Sequence, residues 1–500
     1  MRNPGSRFSS GLEQWTRLKG KPFVTVSPST TPDGSDFGAF TPGTNFGGID
    51  AALASGATKI VVQSGTYTAG ATVPIASNVE VEFQNCVLKC YPSGNTLSAT
   101  NGQTNFRVTG TVTIEANGST SAFFSMGPPA GNIYWDANTA VSGFGGNWAF
   151  NFYEGSGVYF GGRLSTTDSA LINANSTSRL SVAKIVAGPF TTDPAEPIVQ
   201  WVNNTGAAMT DATFGELDID GGSVLTKTPI LLAPNPGTVT ALRVSIGILN
   251  VRNTTGSADG IDVIHCEDVV IDRILAYKTN VGVSVLSSAV SIGCVEGDSC
   301  RSSALIVGDG SGLTFAIQNI SVGMVVAKDC GIGNSGAASS GIQIAVGSGG
   351  SVSYVTIGMA STFYTQDSTL YGYSEVNNGG TISKVRLLGG SLSGYTGPYV
   401  LASNSGTQIS DVIGVNPSGF GITTPAVPAS GTPQKNNFPF PVEIRLKTAG
   451  TGTAYTITDP GGNAETFTVT LAEGMAWELA PGASITLTYT AAPTWVWYGE

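Results

Sequence analysis

The sequence Val244-Ser245-Ile246-Gly247 decides the fold, because close variants of it recur along the chain. From Ala183 to Gly358, the positions equivalent to Gly247 follow one another at steps of 32, 32, 25, 21, 30 and 35 residues. A variable step predicts coils whose strands are fixed while their loops differ in length. The other copies are Val269-Val270-Ile271-Asp272, Val290-Ser291-Ile292-Gly293, Ile320-Ser321-Val322-Gly323 and Val355-Thr356-Ile357-Gly358, with weaker ones at Thr213-Phe214-Gly215 and Ser181-Val182-Ala183.

A second short strand is predicted after each copy, as in Gly260-Ile261-Asp262-Val263 and Gly282-Val283-Ser284-Val285. No amphipathic segment of helical length lies between the two strands. Parallel strands are usually joined by a helical crossover, so a chain without one must wind its strands into a coil. The sequence therefore predicts an all-β protein whose body is a single-stranded parallel β-helix of roughly twelve coils.

The phase of the apolar residues supports this prediction. Val244 and Ile246 lie two apart before Gly247, and Leu249 and Val251 lie two apart after it, with a slip of one residue between the pairs. A strand has a period of two, so the slip indicates a bend at which the chain keeps facing inward. The inward positions predict one buried ladder, formed by Ile246, Ile271, Ile292, Val322 and Ile357.

Composition narrows the classes of partner. The chain has 67 Gly, only 11% charged residues and a net charge of −11, which argues against nucleic acid or an anionic membrane as partner. No apolar run of membrane-spanning length exists, and the N-terminus lacks the apolar region of a secretory signal peptide. With one His and no C-x-x-C motif, the six cysteines are expected to be buried free thiols, and neither a metal nor another cofactor is expected.

Four segments are predicted along the chain, and the second of them includes a short helix near its start. Residues 46–56 are expected to form this helix, whose face of Ile49, Ala52 and Leu53 covers the open apolar end of the coil. The segments are an N-terminal arm or adaptor (1–35, with Arg2, Arg7, Arg17, Lys19 and Lys21), the β-helix (36–415), a Pro-rich linker (416–437) and a small antiparallel β-sandwich (438–500).

The segments Ile49-Asp50-Ala51-Ala52-Leu53 and Ile60-Val61-Val62-Gln63-Ser64-Gly65-Thr66-Tyr67 resemble the opening of the pectate-lyase-like right-handed β-helix superfamily, most of all viral (phage) tailspikes. The resemblance implies a right-handed coil in the virion tail that acts outside the host cell. It implies a host surface glycan as ligand and attachment to the tail or baseplate through residues 1–35. A homotrimer is expected, since assembly shields apolar ends and flat faces.

Two outward columns follow the repeat at positions three and five after the Gly247 equivalents. They bring pairs of acids onto one face, and glycoside hydrolysis uses two carboxyls ~5–5.5 Å or ~6.5–9.5 Å apart. A solvated charge ladder is the alternative interpretation. The first column is Asp218, Asn250, Leu275, Glu296, Val326 and Ser361, and the second is Asp220, Arg252, Tyr277, Asp298, Lys328 and Phe363.

Asp259-Gly260-Ile261-Asp262 resembles a fragment of the polygalacturonase pattern of this superfamily. That pattern continues with acids one coil later, where this chain has Asn280-Val281-Gly282-Val283, and with a histidine two coils on, whereas His265 stands beside the motif. The departure removes half of the acid–base machinery. The candidate catalytic residues are thus Asp218, Asp220, Asp259, Asp262, Glu296 and Asp298.

Residues 133–160 appear as an aromatic-rich break in the repeat, either packed on the coil or exposed to stack on sugar rings. The candidate substrate-binding residues are Arg252, Tyr277, Lys328, Trp135 and Trp148. The sequence favours a tailspike that recognises host surface polysaccharide, with or without cleaving it. Two alternatives stay open, a free polysaccharide-degrading hydrolase or lyase of the same fold and a purely structural spike.

Overall fold

A computed structural model describes residues 22–99, 102–203, 209–234, 241–309, 316–331, 340–365, 371–393, 397–403, 405–413 and 422–499. The chain divides into two units, residues 1–301 and 302–500. In the described residues no helix is long and apolar enough to cross a membrane.

The first unit contains one short helix, α1 (Ile49–Ala54), and otherwise strands. These are β1 (Phe23–Ser27), β2 (Phe37–Gly38), β3 (Lys59–Val62), β4 (Gly65–Thr68), β5 (Val73–Pro74), β6 (Val79–Lys89), β7 (Leu97–Ala99), β8 (Thr104–Glu115), β9 (Phe124–Met126), β10 (Gly131–Trp135), β11 (Asn138–Ser142), β12 (Trp148–Tyr153), β13 (Ser156–Thr166), β14 (Ala170–Asn175), β15 (Ser178–Ala187), β16 (Val199–Asn203), β17 (Thr210–Asp220), β18 (Ile230–Pro234), β19 (Ala241–Arg252), β20 (Ile261–Ile264), β21 (Cys266–Tyr277), β22 (Val283–Leu286) and β23 (Val290–Asp298).

These strands form two parallel sheets that alternate along the chain. Long strands such as β17, β19, β21 and β23 pair in one sheet, and short strands such as β16, β18, β20 and β22 pair in the other. Ile246, Ile271 and Ile292 hold paired positions in the long-strand sheet and are all buried, as predicted. The predicted right-handed parallel β-helix is confirmed.

The repeated glycine marks the bend within each long strand. Val244 and Ile246 are buried before Gly247, and Leu249 and Val251 are buried after it. A Cβ at Gly247 would lie 2.7 Å from the carbonyl oxygen of Gly215 on the preceding coil. The bend thus lets the backbones of adjacent coils approach more closely than a side chain normally allows.

A second corner stands near the start of the long strands. Asp211, Arg243 and Asp268 all have left-handed backbones there, with φ of 60°, 61° and 54°. Arg243 lies one coil above Asp211, and its Nε is 2.6 Å from Asp211 Oδ1. The sequence repeat does not reveal this corner, because the residue type varies from coil to coil.

Helix α1 has the predicted place and buried face. Ile49, Ala52 and Leu53 are buried, and the helix packs against β1, β2 and β3 at the start of the coil. The Asp50 carboxylate accepts hydrogen bonds from the backbone N–H groups of Asn45 (2.6 Å) and Phe46 (3.2 Å). These bonds fix the loop that leads into the helix.

Two sequence-based expectations need correction in the first unit. β1 pairs in parallel with β3, so the β-helix already includes residues 23–27 and the predicted arm at 1–35 is too long. Residues 1–21 of that arm lie outside the described residues. Residues 133–160 do not interrupt the repeat, because β10 and β11 pair with β8 and β13 as ordinary coil strands. Their bulky apolar side chains hide the period-two pattern.

The second unit contains further parallel strands and then a separate module. Its strands are β24 (Leu305–Asp309), β25 (Ala316–Lys328), β26 (Ser340–Val346), β27 (Ser351–Phe363), β28 (Tyr371–Asn377), β29 (Thr381–Leu387), β30 (Gly390–Ser391), β31 (Gly397–Val400), β32 (Gln408–Ile409), β33 (Val412–Ile413), β34 (Pro433–Lys435), β35 (Val442–Thr448), β36 (Gly452–Thr458), β37 (Ala464–Thr468), β38 (Ala476–Leu479), β39 (Ser484–Tyr489) and β40 (Thr494–Gly499).

The parallel coil and the β-sandwich both agree with the prediction. Val322 and Ile357 pair on β25 and β27 and are buried. The module at the C-terminus consists of two antiparallel sheets, β34-β39-β36-β37 and β38-β35-β40. Trp477 and Trp497 are among the residues that fill its core.

The predicted Pro-rich linker is largely part of this module. β34 pairs with β39, and Trp495 Nε1 donates a hydrogen bond of 2.8 Å to the carbonyl oxygen of Pro425. The backbone N–H of Trp497 donates to Thr424 Oγ1 at 3.0 Å. The linker assignment is therefore wrong for residues 424–437, while residues 416–421 lie outside the described residues.

Candidate functional site

The two predicted outward columns exist within each unit. Asp218, Asn250, Leu275 and Glu296 occupy paired positions of adjacent long strands, as do Asp220, Arg252, Tyr277 and Asp298. In the second unit, Val326 pairs with Ser361 and Lys328 pairs with Phe363.

Arg252 clamps the first acidic pair. Its Nη1 lies 2.6 Å from Asp218 Oδ1, and its Nε lies 3.0 Å from Asp220 Oδ2. Burial raises the pKa of Asp220, but hydrogen bonds from Asn253, the Gly222 N–H and Arg252 outweigh it and lower the pKa overall. Both carboxyls are engaged, and Asp220 is held in its ionised form, which does not suit it as a proton donor.

The other acids of these columns also have partners. Arg273 Nη2 lies 2.6 Å from Glu296 Oε1, and Ser299 Oγ donates a hydrogen bond of 2.7 Å to Asp298 Oδ1. Tyr277 is exposed, and Lys278 Nζ lies 4.9 Å from the centroid of its ring. In the columns of the first unit, each acid thus has a cation or a hydroxyl group as partner along the long-strand sheet.

A different acidic pair is found beside the short-strand sheet. Asp262 projects outward from β20, and Asp259 lies just before that strand. The two carboxyls lie close enough to influence each other's pKa, and the backbone N–H of Asp259 donates a hydrogen bond of 3.3 Å to Thr228 Oγ1. Asp259 Oδ1 accepts hydrogen bonds from Asn280 Nδ2 (2.8 Å) and from the Val281 N–H (3.2 Å). Three successive coils therefore build this site.

Burial changes the chemistry of the pair. Both side chains keep partial contact with solvent but are surrounded by protein. Burial, reinforced by the charge of Asp262, raises the pKa of Asp259 to about 8. The pKa of Asp262 is also raised by burial, although hydrogen bonds from Asp259 and Thr228 oppose the rise. At neutral pH Asp259 therefore holds a proton beside the carboxyl group of Asp262.

His265 stands at the tight turn between β20 and β21, with φ of 54°. The backbone N–H of His265 donates a hydrogen bond of 3.1 Å to the carbonyl oxygen of Leu286. Burial lowers the pKa of its imidazole, so the ring is neutral at pH 7.

The two tryptophans that the sequence offered as substrate-binding candidates, Trp135 and Trp148, differ in exposure. Trp135 is 1% exposed, packs edge-on against Phe150 with ring centroids 5.1 Å apart, and donates from Nε1 to Thr139 Oγ1. Its ring therefore offers no face to a sugar, which corrects its place among the binding candidates. Trp148 is half-buried and donates from Nε1 to the carbonyl oxygen of Pro197 at 3.0 Å.

The sequence therefore named the six acids and their pairs but not the two sheets that separate them. Asp218 and Asp220 come together with Arg252 on the long-strand sheet, whereas Asp259 and Asp262 come together at the short-strand sheet. Thr228 and Asn280 were not among the candidates, although Asn280 follows Asp259 by one coil.

All six cysteines are free thiols, and five of them are buried. Among the described residues, no group of three or more His, Cys, Asp or Glu side chains is placed to hold a metal ion.

No family model and no curated protein matches the chain. Among solved structures, it is similar to the A-module of a mannuronan C-5 epimerase from Azotobacter vinelandii, with a TM-score of 0.40 and 13% identity over 73% of this chain and 93% of that one. It is also similar to the full-length tailspike protein 2 of an Escherichia coli O157:H7 bacteriophage, with a TM-score of 0.32 and 10% identity over 95% and 68%. The surface protein and adhesin PfbA of Streptococcus pneumoniae gives 0.36 and 12% over 73% and 91%. The fold assignment rests on the strand pairing of the chain itself.

Proposed function

We propose that this protein is a virion tailspike that binds host surface polysaccharide and cleaves it at the Asp259–Asp262 pair. The observation that carries the proposal is this pair, in which a proton is held near neutral pH on a carboxyl that still reaches solvent. Glycoside hydrolysis requires one carboxyl with a raised pKa and one that is ionised. Among the six predicted acids, Asp259 has a raised pKa and lies beside a second carboxyl, Asp262, whereas Asp220 is held ionised by its partners.

The two carboxyls would have different tasks. Asp259 donates its proton to the glycosidic oxygen as the bond to the anomeric carbon breaks. The ionised Asp262 stabilises the positive charge that develops on the sugar. Water then adds to the anomeric carbon, and the proton that it loses returns to the pair. Asn280 Nδ2 and the Val281 N–H hold the Asp259 carboxyl in place during the reaction.

The tailspike part of the proposal is supported by the resemblance of residues 49–67 to the opening of such proteins and by the coil that follows. Because β1 belongs to the coil, attachment to the virion tail or baseplate is assigned to residues before Phe23. The short-strand sheet, beside which the Asp259–Asp262 pair lies, then faces the host glycan.

The test is incubation with host envelope polysaccharide followed by sizing of the products. Asp259→Asn and Asp262→Asn should each lower the cleavage rate by about 100-fold or more, since each removes one part of the acid–base pair. Asp218→Asn, Asp220→Asn, Glu296→Gln and Asp298→Asn are matched controls on the other sheet and should keep most of the activity.

Each of the other possible outcomes would point to a different function for this protein. Full activity in both pair variants would place the site elsewhere. Binding by the wild type without cleavage would leave a glycan-binding adhesin, and the absence of both would leave a structural spike. If the protein cleaves the polysaccharide but does not compete with the virus for binding to host cells, the result would favour a free enzyme.

A further inference from the structure

A cleft in the second unit lies between the last coil strands and the β-sandwich module. Its volume is about 940 Å³. One wall consists of β27, β29 and residues 401–403 and 405–408, and the other of residues 435–438 with the turns at 460–461 and 481–482. The N–H of Ile409 donates a hydrogen bond of 2.7 Å to the carbonyl oxygen of Pro439, which joins the coil directly to the module beside the cleft.

The charge of the cleft is opposite to that of the chain. Lys384, Arg386 and Lys435 line it, and no Asp or Glu does. In the part of the chain that the structure describes, none of these three cations forms an ion pair with a carboxylate. The protein as a whole carries −11, so three cations without acidic partners in one cleft indicate a site for a negative ligand.

The remaining lining suits a sugar. Tyr354 is 49% exposed, and Lys384 Nζ lies 4.3 Å from the centroid of its ring. Phe438 is half-buried and stacks on Phe440 with centroids 5.3 Å apart. The polar residues Ser403, Ser405, Gln408 and Asn437 also line the cleft. Aromatic rings accept the apolar faces of sugars, and these polar groups match their hydroxyls.

Both walls are held in place by buried polar side chains. On the coil side, the buried carboxylate of Glu375 accepts hydrogen bonds from the Ala402 N–H (3.0 Å), from Tyr373 Oη (2.9 Å) and from Thr407 Oγ1. On the module side, the fully buried Asn436 donates from Nδ2 to the carbonyl oxygens of Phe440 (3.0 Å) and Leu479 (2.9 Å). The cleft is therefore formed before any ligand binds, which lowers the entropic cost of binding.

We propose that this cleft is a second carbohydrate site, which binds an acidic segment of the polysaccharide through the carboxylates of its sugars. The proposal takes the polysaccharide class of the ligand from the proposed function but does not depend on the Asp259–Asp262 pair. A long nucleic acid is disfavoured, because three cations do not offset the repulsion from a chain of net charge −11.

The test is calorimetric binding of an oligogalacturonate to the full chain, beside the same oligosaccharide with its carboxyls reduced to alcohols. We expect the acidic form to bind at least about tenfold more tightly, and to lose affinity as salt is raised from about 0.05 to 0.5 M. Lys384→Gln, Arg386→Gln and Lys435→Gln should each weaken binding by roughly threefold to fivefold. Lys447→Gln is the matched control, since it removes an exposed lysine of the module that does not line the cleft.

Equal binding of the acidic and reduced oligosaccharides would overturn the proposal. So would an unchanged affinity in the triple variant of the three cations, or tighter binding of single-stranded DNA of the same charge. Cleavage of polysaccharide by the wild type is assayed separately from this binding. A failure of cleavage with intact binding at the cleft therefore counts against the carboxylate pair alone, and the reverse result counts against the cleft alone.

Discussion

At the scale of single residues, the proton on Asp259 links the stability of the protein to pH. The folded state holds this proton up to about pH 8, whereas the unfolded chain releases it near the ordinary value of 3.8. The native state therefore binds more protons than the unfolded state between these two values. The resulting contribution to stability is fully present below about pH 4 and is lost as the pH rises toward 8.

We predict that the difference in melting temperature between the wild type and Asp259→Asn changes with pH. The wild type should lose stability relative to the variant between pH 5 and 8, by at most about 1.4 kcal/mol per pH unit, and the difference should level off above pH 8. Differential scanning calorimetry at each pH measures it. Asp220→Asn is the control and should give a constant difference over this range, because the pKa of Asp220 is lowered. A constant difference for Asp259→Asn as well would contradict the assigned pKa.

The sequence could identify these residues but not their state. Asp259-Gly260-Ile261-Asp262 stands out as a motif, and its spacing places both acids beside one strand. Their pKa values depend on burial and on Thr228 and Asn280, which come from the neighbouring coils. Such neighbours depend on loop lengths that vary from coil to coil, so the strand pattern alone does not define them. For the same reason, the sequence did not show that Asp218 and Asp220 share Arg252.

At the scale of strands, the buried ladder carries the fold. Ile292 is 1% exposed on β23 and pairs with Ile271 of the adjacent coil. We predict that Ile292→Asp prevents folding, because it places an unpaired charge in the core. Ser291→Asp is the matched control one residue earlier, on the exposed side of the same strand. Circular dichroism and soluble yield should separate the two variants. A folded Ile292→Asp protein would show that the ladder is not essential.

The strands that the sequence predicts best are those with a clean period of two. Val244, Ile246, Leu249 and Val251 follow that period on both sides of a visible glycine, and the structure confirms the bend between them. The left-handed corner at Arg243 is not predictable in this way, since successive coils have Asp211, Arg243, Asp268 and Ala289 at this position. The aromatic stretch was misjudged because its large side chains mask the pattern of ordinary coil strands.

At the scale of the whole molecule, apolar side chains remain uncovered. Met359, Phe363 and Leu388 of the second unit are 47%, 44% and 45% exposed. We predict a homotrimer, as expected from the sequence, in which a partner chain covers these side chains. Sedimentation at micromolar concentration should give three times the 51.0 kDa of one chain.

Phe363→Lys combined with Leu388→Lys should weaken this assembly, whereas Ser361→Lys on the same strand serves as a control for the added charge. A monomer for the wild type would contradict the prediction. A trimer that persists in the double variant would place the interface elsewhere.

The register of the coils has a consequence for the evolution of such proteins. Ile246, Ile271 and Ile292 keep one column although 25 and 21 residues separate them, so the loops absorb all differences in length. A gene of this kind can gain or lose the DNA for one whole turn without disturbing the pairing on either side. Lineages can therefore differ in the reach of the protein in increments of ~4.8 Å, while the chemistry on each remaining turn is inherited unchanged.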